Sequence, residues 1–171
     1  GASKSLSVLL DIYKKSSRGK ISKGRTLHLM SKVLKISPKK LEELFLKVYK
    51  NNPLENKELY NYTLILKKKG YKIGILSTQF HLSKDILIPK KYYKAFDALG
   101  ISCDDKVAKP DEEAFLLILQ KLHVQPEDSV FVDDQQKNLD VAKRLKANIA
   151  LFKTNKQLFS YLKKLGITQT K

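Results

Sequence analysis

Asp133 and Asp134 stand side by side where the apolar run SVFV ends. Adjacent carboxylates repel unless a cation or hydrogen-bond donors face them. Two other polar clusters follow short apolar runs in the same way. Ser77-Thr78-Gln79 follows KIGIL, and Lys109-Pro110 comes shortly after ALGIS. Taken singly, each has an ordinary structural explanation: a turn hydroxyl, a surface lysine, an N-cap aspartate. Taken together, a hydroxyl, an ammonium and two carboxylates are the groups that bind an anionic substrate and a hard divalent cation.

The elements that must position these residues can be read from periodicity. Residues 5–16, SLSVLLDIYKKS, place Leu6, Val8, Leu9, Leu10, Ile12 and Tyr13 on one broad helical arc with Asp11, Lys14 and Lys15 opposite. A second helix is expected around RTLHLMSKVLK. A third begins at Ser37-Pro38, with Ser as N-cap and Pro at the first helical position. From residue 58 onward helices alternate with short apolar runs. The runs YKIGILS (71–77), ALGIS (98–102), SVFVD (129–133) and NIALF (148–152) read as strands. Helices are expected over 58–69, ending at Gly70, and over 111–122, 136–145 and 157–165, the last ending at Gly166. This alternation argues for an α/β fold: a Rossmann-like parallel sheet with helices on both faces and a small all-helical cap. The division expected is residues 1–56 for the helical cap region and 57–171 for the α/β core. In such sheets ligands bind beyond the carboxyl ends of the strands, where the three polar clusters fall.

Charge and cysteine content narrow the function classes. The formal net charge is +17, but residues 1–100 carry 22 Lys/Arg against 7 Asp/Glu, and residues 101–171 carry 12 against 10. The basic excess therefore belongs to the first hundred residues. Its clusters, Lys14-Lys15, Lys39-Lys40, Lys67-Lys68-Lys69 and Lys90-Lys91, have few interleaved aromatics, unlike a base-stacking nucleic-acid platform. A solvated lysine-rich surface is the first reading, with attraction of anionic substrates or of nucleic acid as the others. Cys103 is the single cysteine, so an internal disulfide and a metal cluster built from cysteines are excluded. That usage fits a reducing, cytoplasmic setting and an ordinary packed or surface thiol. No run of the chain approaches the length of a membrane span.

The motifs in this order resemble the haloacid dehalogenase (HAD) superfamily. GILST resembles its second motif, KVAKPDEEAF its third, and SVFVDDQQKNLDVAKRLKANIALF its fourth, with Asn138 four residues after Asp134. RGKIS (18–22) with the helix after it resembles the small helical cap of the phosphatase-like subfamilies. The resemblance implies a Mg²⁺-dependent phosphatase acting on a small anionic phosphate ester through an aspartyl-phosphate intermediate. It gives Ser77, with Thr78 beside it, to a phosphoryl oxygen. Lys109 neutralises nucleophile and phosphate, Asp133 or Asp134 holds Mg²⁺, and Asn138 supports them.

One part of the pattern is missing. The family places Asp-x-Asp, the nucleophile and the acid/base, at the end of a first strand, and no Asp-x-Asp occurs in this chain. The nearest candidate nucleophile is Asp11 in LLDIYKK, with Tyr13 in the acid position. Its helical periodicity favours a cap helix instead. In the family that first strand lies between the strands ending at Ser77 and at Asp133. Without it, two unpaired strand edges and an apolar slot are expected. Residues beyond this stretch, another chain or a rearranged neighbour would fill the slot, and an exposed slot favours self-association. The chain then reads either as part of an active hydrolase or as a non-catalytic HAD-like binding module that uses its basic first hundred residues.

Overall fold

The computed structural model describes residues 2–50, 56–87, 93 and 95–168. The Lys90-Lys91 cluster lies outside them. Four helices come first: α1 (Ala2–Ser17), α2 (Lys23–Leu34), α3 (Pro38–Lys50) and α4 (Lys57–Lys68). Strands and helices then alternate through β1 (Gly74–Ser77), α5 (Lys84–Leu87), β2 (Ala98–Ile101), α6 (Ser102–Asp105) and α7 (Glu112–Leu122). The remainder is β3 (Val130–Asp133), α8 (Gln136–Arg144), β4 (Asn148–Leu151) and α9 (Asn155–Lys164). The boundaries follow local chemistry. Ser22, Ser37, Asn56 and Thr154 each accept a backbone N–H three residues on, at 3.0–3.2 Å, and so start α2, α3, α4 and α9. Gly70 and Gly166 follow α4 and α9 at positive φ, 89° and 78°, as C′ glycines do.

The chain forms two compact units. One comprises residues 1–54, 77–93 and 101–108; the other comprises 55–76, 94–100 and 109–171. The first is built around Ile12, Met30, Leu41, Phe80 and Leu82. Phe80 meets Tyr13 and Phe45 edge-on, with ring centroids 5.2 and 5.6 Å away. Asp11 lies mid-helix in α1, exposed and paired with Lys15 one turn on at 2.7 Å. A helical surface position replaces the strand end that a first-motif aspartate would occupy.

The second unit carries two clusters. Tyr62, Leu66, Ala150, Leu158 and Leu162 form one, with Tyr62 stacked on Phe159 at 4.1 Å. Phe115, Val141, Ala142 and Ala147 form the other. The strands do not join into one sheet. β1 pairs with β2, and β3 pairs in parallel with β4 in the register Val130 to Asn148 through Asp133 to Leu151. Between the pairs lies a slot of about 740 Å³. Gly74, Ile75 and Leu76 of β1 line it, as do all four residues of β3, while no residue of β2 or β4 does. Leu66, Ile118 and Leu158, from α4, α7 and α9, complete its apolar walls. Val132 shows why this is a gap in a sheet rather than a surface groove. It sits within a parallel strand, where both faces are normally covered, yet it is 41% exposed and lines the slot.

β1 and β3, which flank the slot, each keep one unpaired edge among the described residues.

Candidate active site

β3 is a run of Val, Phe and Val that delivers Asp133 to its carboxyl end, and α8 starts three residues later. That short turn folds two donors onto one carboxylate, and Lys109, from just before α7, adds a third. The Asn138 amide donates to Asp133 Oδ1 at 2.9 Å, and the Gln135 backbone N–H donates to the same oxygen at 2.8 Å. The Lys109 ammonium donates to Oδ2 at 2.5 Å. The Asp133 and Lys109 side chains are only 8% and 18% exposed. Burial by itself pushes the Asp133 carboxyl upward. The hydrogen bonds from Lys109, Asn138 and Gln135 outweigh it and hold the group below the ordinary carboxylate range. Asp133 is therefore a fixed anion at neutral pH.

Three lone-pair positions of Asp133 are taken, and Oδ2 keeps one. Asp134 adds an exposed carboxylate at the next position. Asn138 contributes a further oxygen: its Oδ1 is buried and has no hydrogen-bond partner. A carboxylate with one lone pair left, an exposed carboxylate beside it and an orphaned amide oxygen are the hard-oxygen donors available at this turn. They suit a cation that keeps several of its own waters.

Lys109, Asp133 and Asn138 are thus brought together by this unit, with Asp134 adjacent. Lys109 and Asp133 also line the slot, so the slot opens at the charged cluster. Ser77 and Thr78 belong to the other unit. Ser77 ends β1, and its hydroxyl accepts from the Gln79 amide at 3.0 Å. Thr78 Oγ1 is buried with no hydrogen-bond partner. Two further supports have no signal in residue type or spacing. The Gln135 backbone N–H is invisible to residue type. Ser102 forms a two-way latch with Gln79, accepting from its N–H at 2.9 Å and donating to its carbonyl at 3.0 Å. No spacing rule links positions 23 apart.

A family model for haloacid dehalogenase-like hydrolases matches residues 16–146. Phosphoglycolate phosphatase of Aquifex aeolicus is 32% identical over 139 residues, covering 75% of this chain and 63% of that protein. Acyl-CoA dehydrogenase family member 10 of mouse is 38% identical over 80 residues, 47% of this chain but 8% of that protein. The chain thus spans less than two thirds of either relative. Among solved structures, a predicted HAD-like family hydrolase from Porphyromonas gingivalis superposes with a TM-score of 0.72 at 20% identity, covering 90% of this chain and 78% of that one. A HAD family enzyme from Bacteroides thetaiotaomicron, solved with magnesium and inorganic phosphate, gives 0.66 at 19% identity, covering 84% and 76%. The two-unit α/β architecture, the motif order and the family match agree, and the chain belongs to the haloacid dehalogenase-like hydrolases.

Proposed function

We propose that this chain supplies the cation- and phosphate-binding half of a Mg²⁺-dependent phosphatase for a small anionic phosphate ester. Its nucleophilic carboxylate arrives on an apolar strand that fills the slot between β1 and β3. The observation that carries this reading is the placement of Lys109 and Asp133, locked together beside the slot between β1 and β3, whose facing edges are unpaired among the described residues. A strand there pairs both open edges at once, and a carboxylate at its end comes out beside Lys109.

Asp133, Asp134 and the Asn138 amide oxygen would hold the magnesium, which when bound neutralises phosphate charge that would repel an anionic nucleophile. Lys109 offers positive charge to both nucleophile and phosphate. Ser77 donates its hydroxyl hydrogen to a phosphoryl oxygen, with Thr78 beside it. Asp11, on the exposed face of α1, takes no part. The phosphatase relative from Aquifex aeolicus supports the reaction class, and the lysine-rich first hundred residues suit an anionic substrate.

The test is hydrolysis of p-nitrophenyl phosphate, with and without Mg²⁺. The chain is assayed alone and joined upstream of residue 2 to five apolar β-formers ending in Asp-x-Asp. Turnover that needs both the strand and Mg²⁺ supports the proposal. Absence of turnover, with salt-sensitive binding to a polyanion, would favour the non-catalytic binding module instead.

A further inference from the structure

The unit containing residues 77–93 and 101–108, which includes neither Lys109 nor Asp133, holds a second group of chemically able side chains. His81, Cys103 and Asp104 each present one ligand atom, and the three atoms lie within 4.8 Å of one another. Ligand atoms around a tetrahedral zinc ion stand roughly 3.3–3.8 Å apart, given Zn–N near 2.0 Å and Zn–S near 2.3 Å. The triangle closes on one ion if its longest side contracts by up to about 1 Å.

The backbones that carry the triad are already locked. The Ser102–Gln79 latch fixes the residue before Cys103 to the loop two residues before His81. The His81 N–H donates to Ser16 Oγ at 3.3 Å, and Ser16 is fully buried and takes a second bond from Thr26 Oγ1 at 2.9 Å. Gly19 packs so closely that a Cβ there would stand 2.6 Å from the Cys103 carbonyl oxygen. Cys103 is buried, His81 half-buried and Asp104 exposed, so the triad opens to solvent on its Asp104 side.

We infer that His81, Cys103 and Asp104 form a binding site for a thiophilic divalent cation of the zinc class, with a fourth position open to water. Thiolate and imidazole select zinc or cobalt over magnesium. Binding sends the thiol proton to solvent and displaces Lys84, whose ammonium rests on Asp104 at 2.7 Å. Lys84 is the built-in competitor, and Lys23 is the other cation near the imidazole, itself held by Glu42 at 2.7 Å. The site is independent of the phosphatase reading, since its three ligands serve no step there.

Co²⁺ titration followed by absorbance, with Zn²⁺ calorimetry, tests the inference on the chain as it stands. The expected result is one ion per chain and a thiolate-to-cobalt charge-transfer band, with release of the thiol proton on binding. Cys103→Ser abolishes the band. His81→Gln and Asp104→Asn each weaken zinc binding by more than the roughly 10–100-fold that loss of a supporting group costs. Lys84→Met tightens it severalfold, which a merely structural cluster has no reason to do. Should Cys103→Ser not fold, the exposed Asp104→Asn and the Lys84→Met change decide the matter by their opposite signs. A wild-type cobalt complex without the thiolate band, or zinc affinity unmoved by His81→Gln and Asp104→Asn, overturns the site.

Discussion

Lys109 Nζ and Asp133 Oδ2 are joined by a short, nearly solvent-free ion pair at the carboxyl end of β3, and both residues border the open slot beside that strand. The pair settles how an exposed-looking Asp-Asp doublet is tolerated. Only Asp133 turns into the fold, where a lysine, an amide and a backbone N–H meet it. Asp134 stays in solvent.

Breaking that pair from one side leaves a buried charge alone. Asp133→Asn strands the Lys109 ammonium, and Lys109→Met strands the carboxylate. Each is expected to cost about 2 kcal/mol by urea denaturation, in the range of a lost charge-assisted hydrogen bond. The double change Lys109→Met with Asp133→Asn should cost less than the two singles summed. Strict additivity would show that the pair is uncoupled in solution.

The acid limb of stability follows from the same carboxylate. Asp133 is held low by its three donors, against burial. Asp97 is held low first by the Ile73 backbone N–H and then by Lys67, at 2.8 and 2.7 Å. Below pH about 3.9, the ordinary aspartate value, the unfolded chain binds protons that the folded chain still refuses. The stabilisation is therefore complete above that pH and is lost as pH falls through the lower folded values. Asp97→Asn should flatten part of this limb in circular-dichroism acid titrations, and an unchanged limb would contradict the assignment.

The slot makes a stability prediction separate from catalysis. A ligand that binds only the folded state at 100 times its Kd stabilises by about 2.7 kcal/mol. A free apolar strand peptide ending in Asp-x-Asp should raise Tm accordingly. The same peptide with a central proline should not, because it cannot complete the backbone ladder. Equal shifts from both would mean that the slot takes apolar mass without strand pairing.

Ser16 anchors the first unit. It is fully buried and accepts from both Thr26 Oγ1 and the His81 N–H. Ser16→Ala leaves the His81 N–H without that acceptor and should cost about 1–3 kcal/mol by urea denaturation, whereas the exposed neighbour change Lys15→Ala should fall within about 0.5 kcal/mol.

Much of the fold was legible because its signals are local. The isoleucine and valine runs at 74–77, 130–133 and 148–151 form strands, and Ser37, Gly70 and Gly166 bound helices where cap chemistry puts them. Strand length was overread at 71–73, where tyrosine and lysine face solvent before Gly74 begins the pairing. The break into two strand pairs followed from the absent Asp-x-Asp, since a missing central strand leaves both neighbours half-paired. The meeting of Lys109, Asp133 and Asn138 was legible through motif order. The meeting of His81 with Cys103 was not, because it depends on the Ser102–Gln79 latch and on Gly19 admitting the Cys103 backbone, contacts that no periodicity encodes.

The central claim is that the Lys109–Asp133 cluster is a working half-site completed by a strand. The most direct measurement is Mg²⁺-dependent turnover of p-nitrophenyl phosphate by the strand-completed chain, compared with its Asp133→Asn variant and with a strand ending in Asn-x-Asp. Turnover that falls by at least about a thousandfold in both variants, some 4 kcal/mol of barrier, is the predicted result. Turnover that persists with the Asn-x-Asp strand, or none from a completed chain whose raised Tm shows the slot filled, contradicts it.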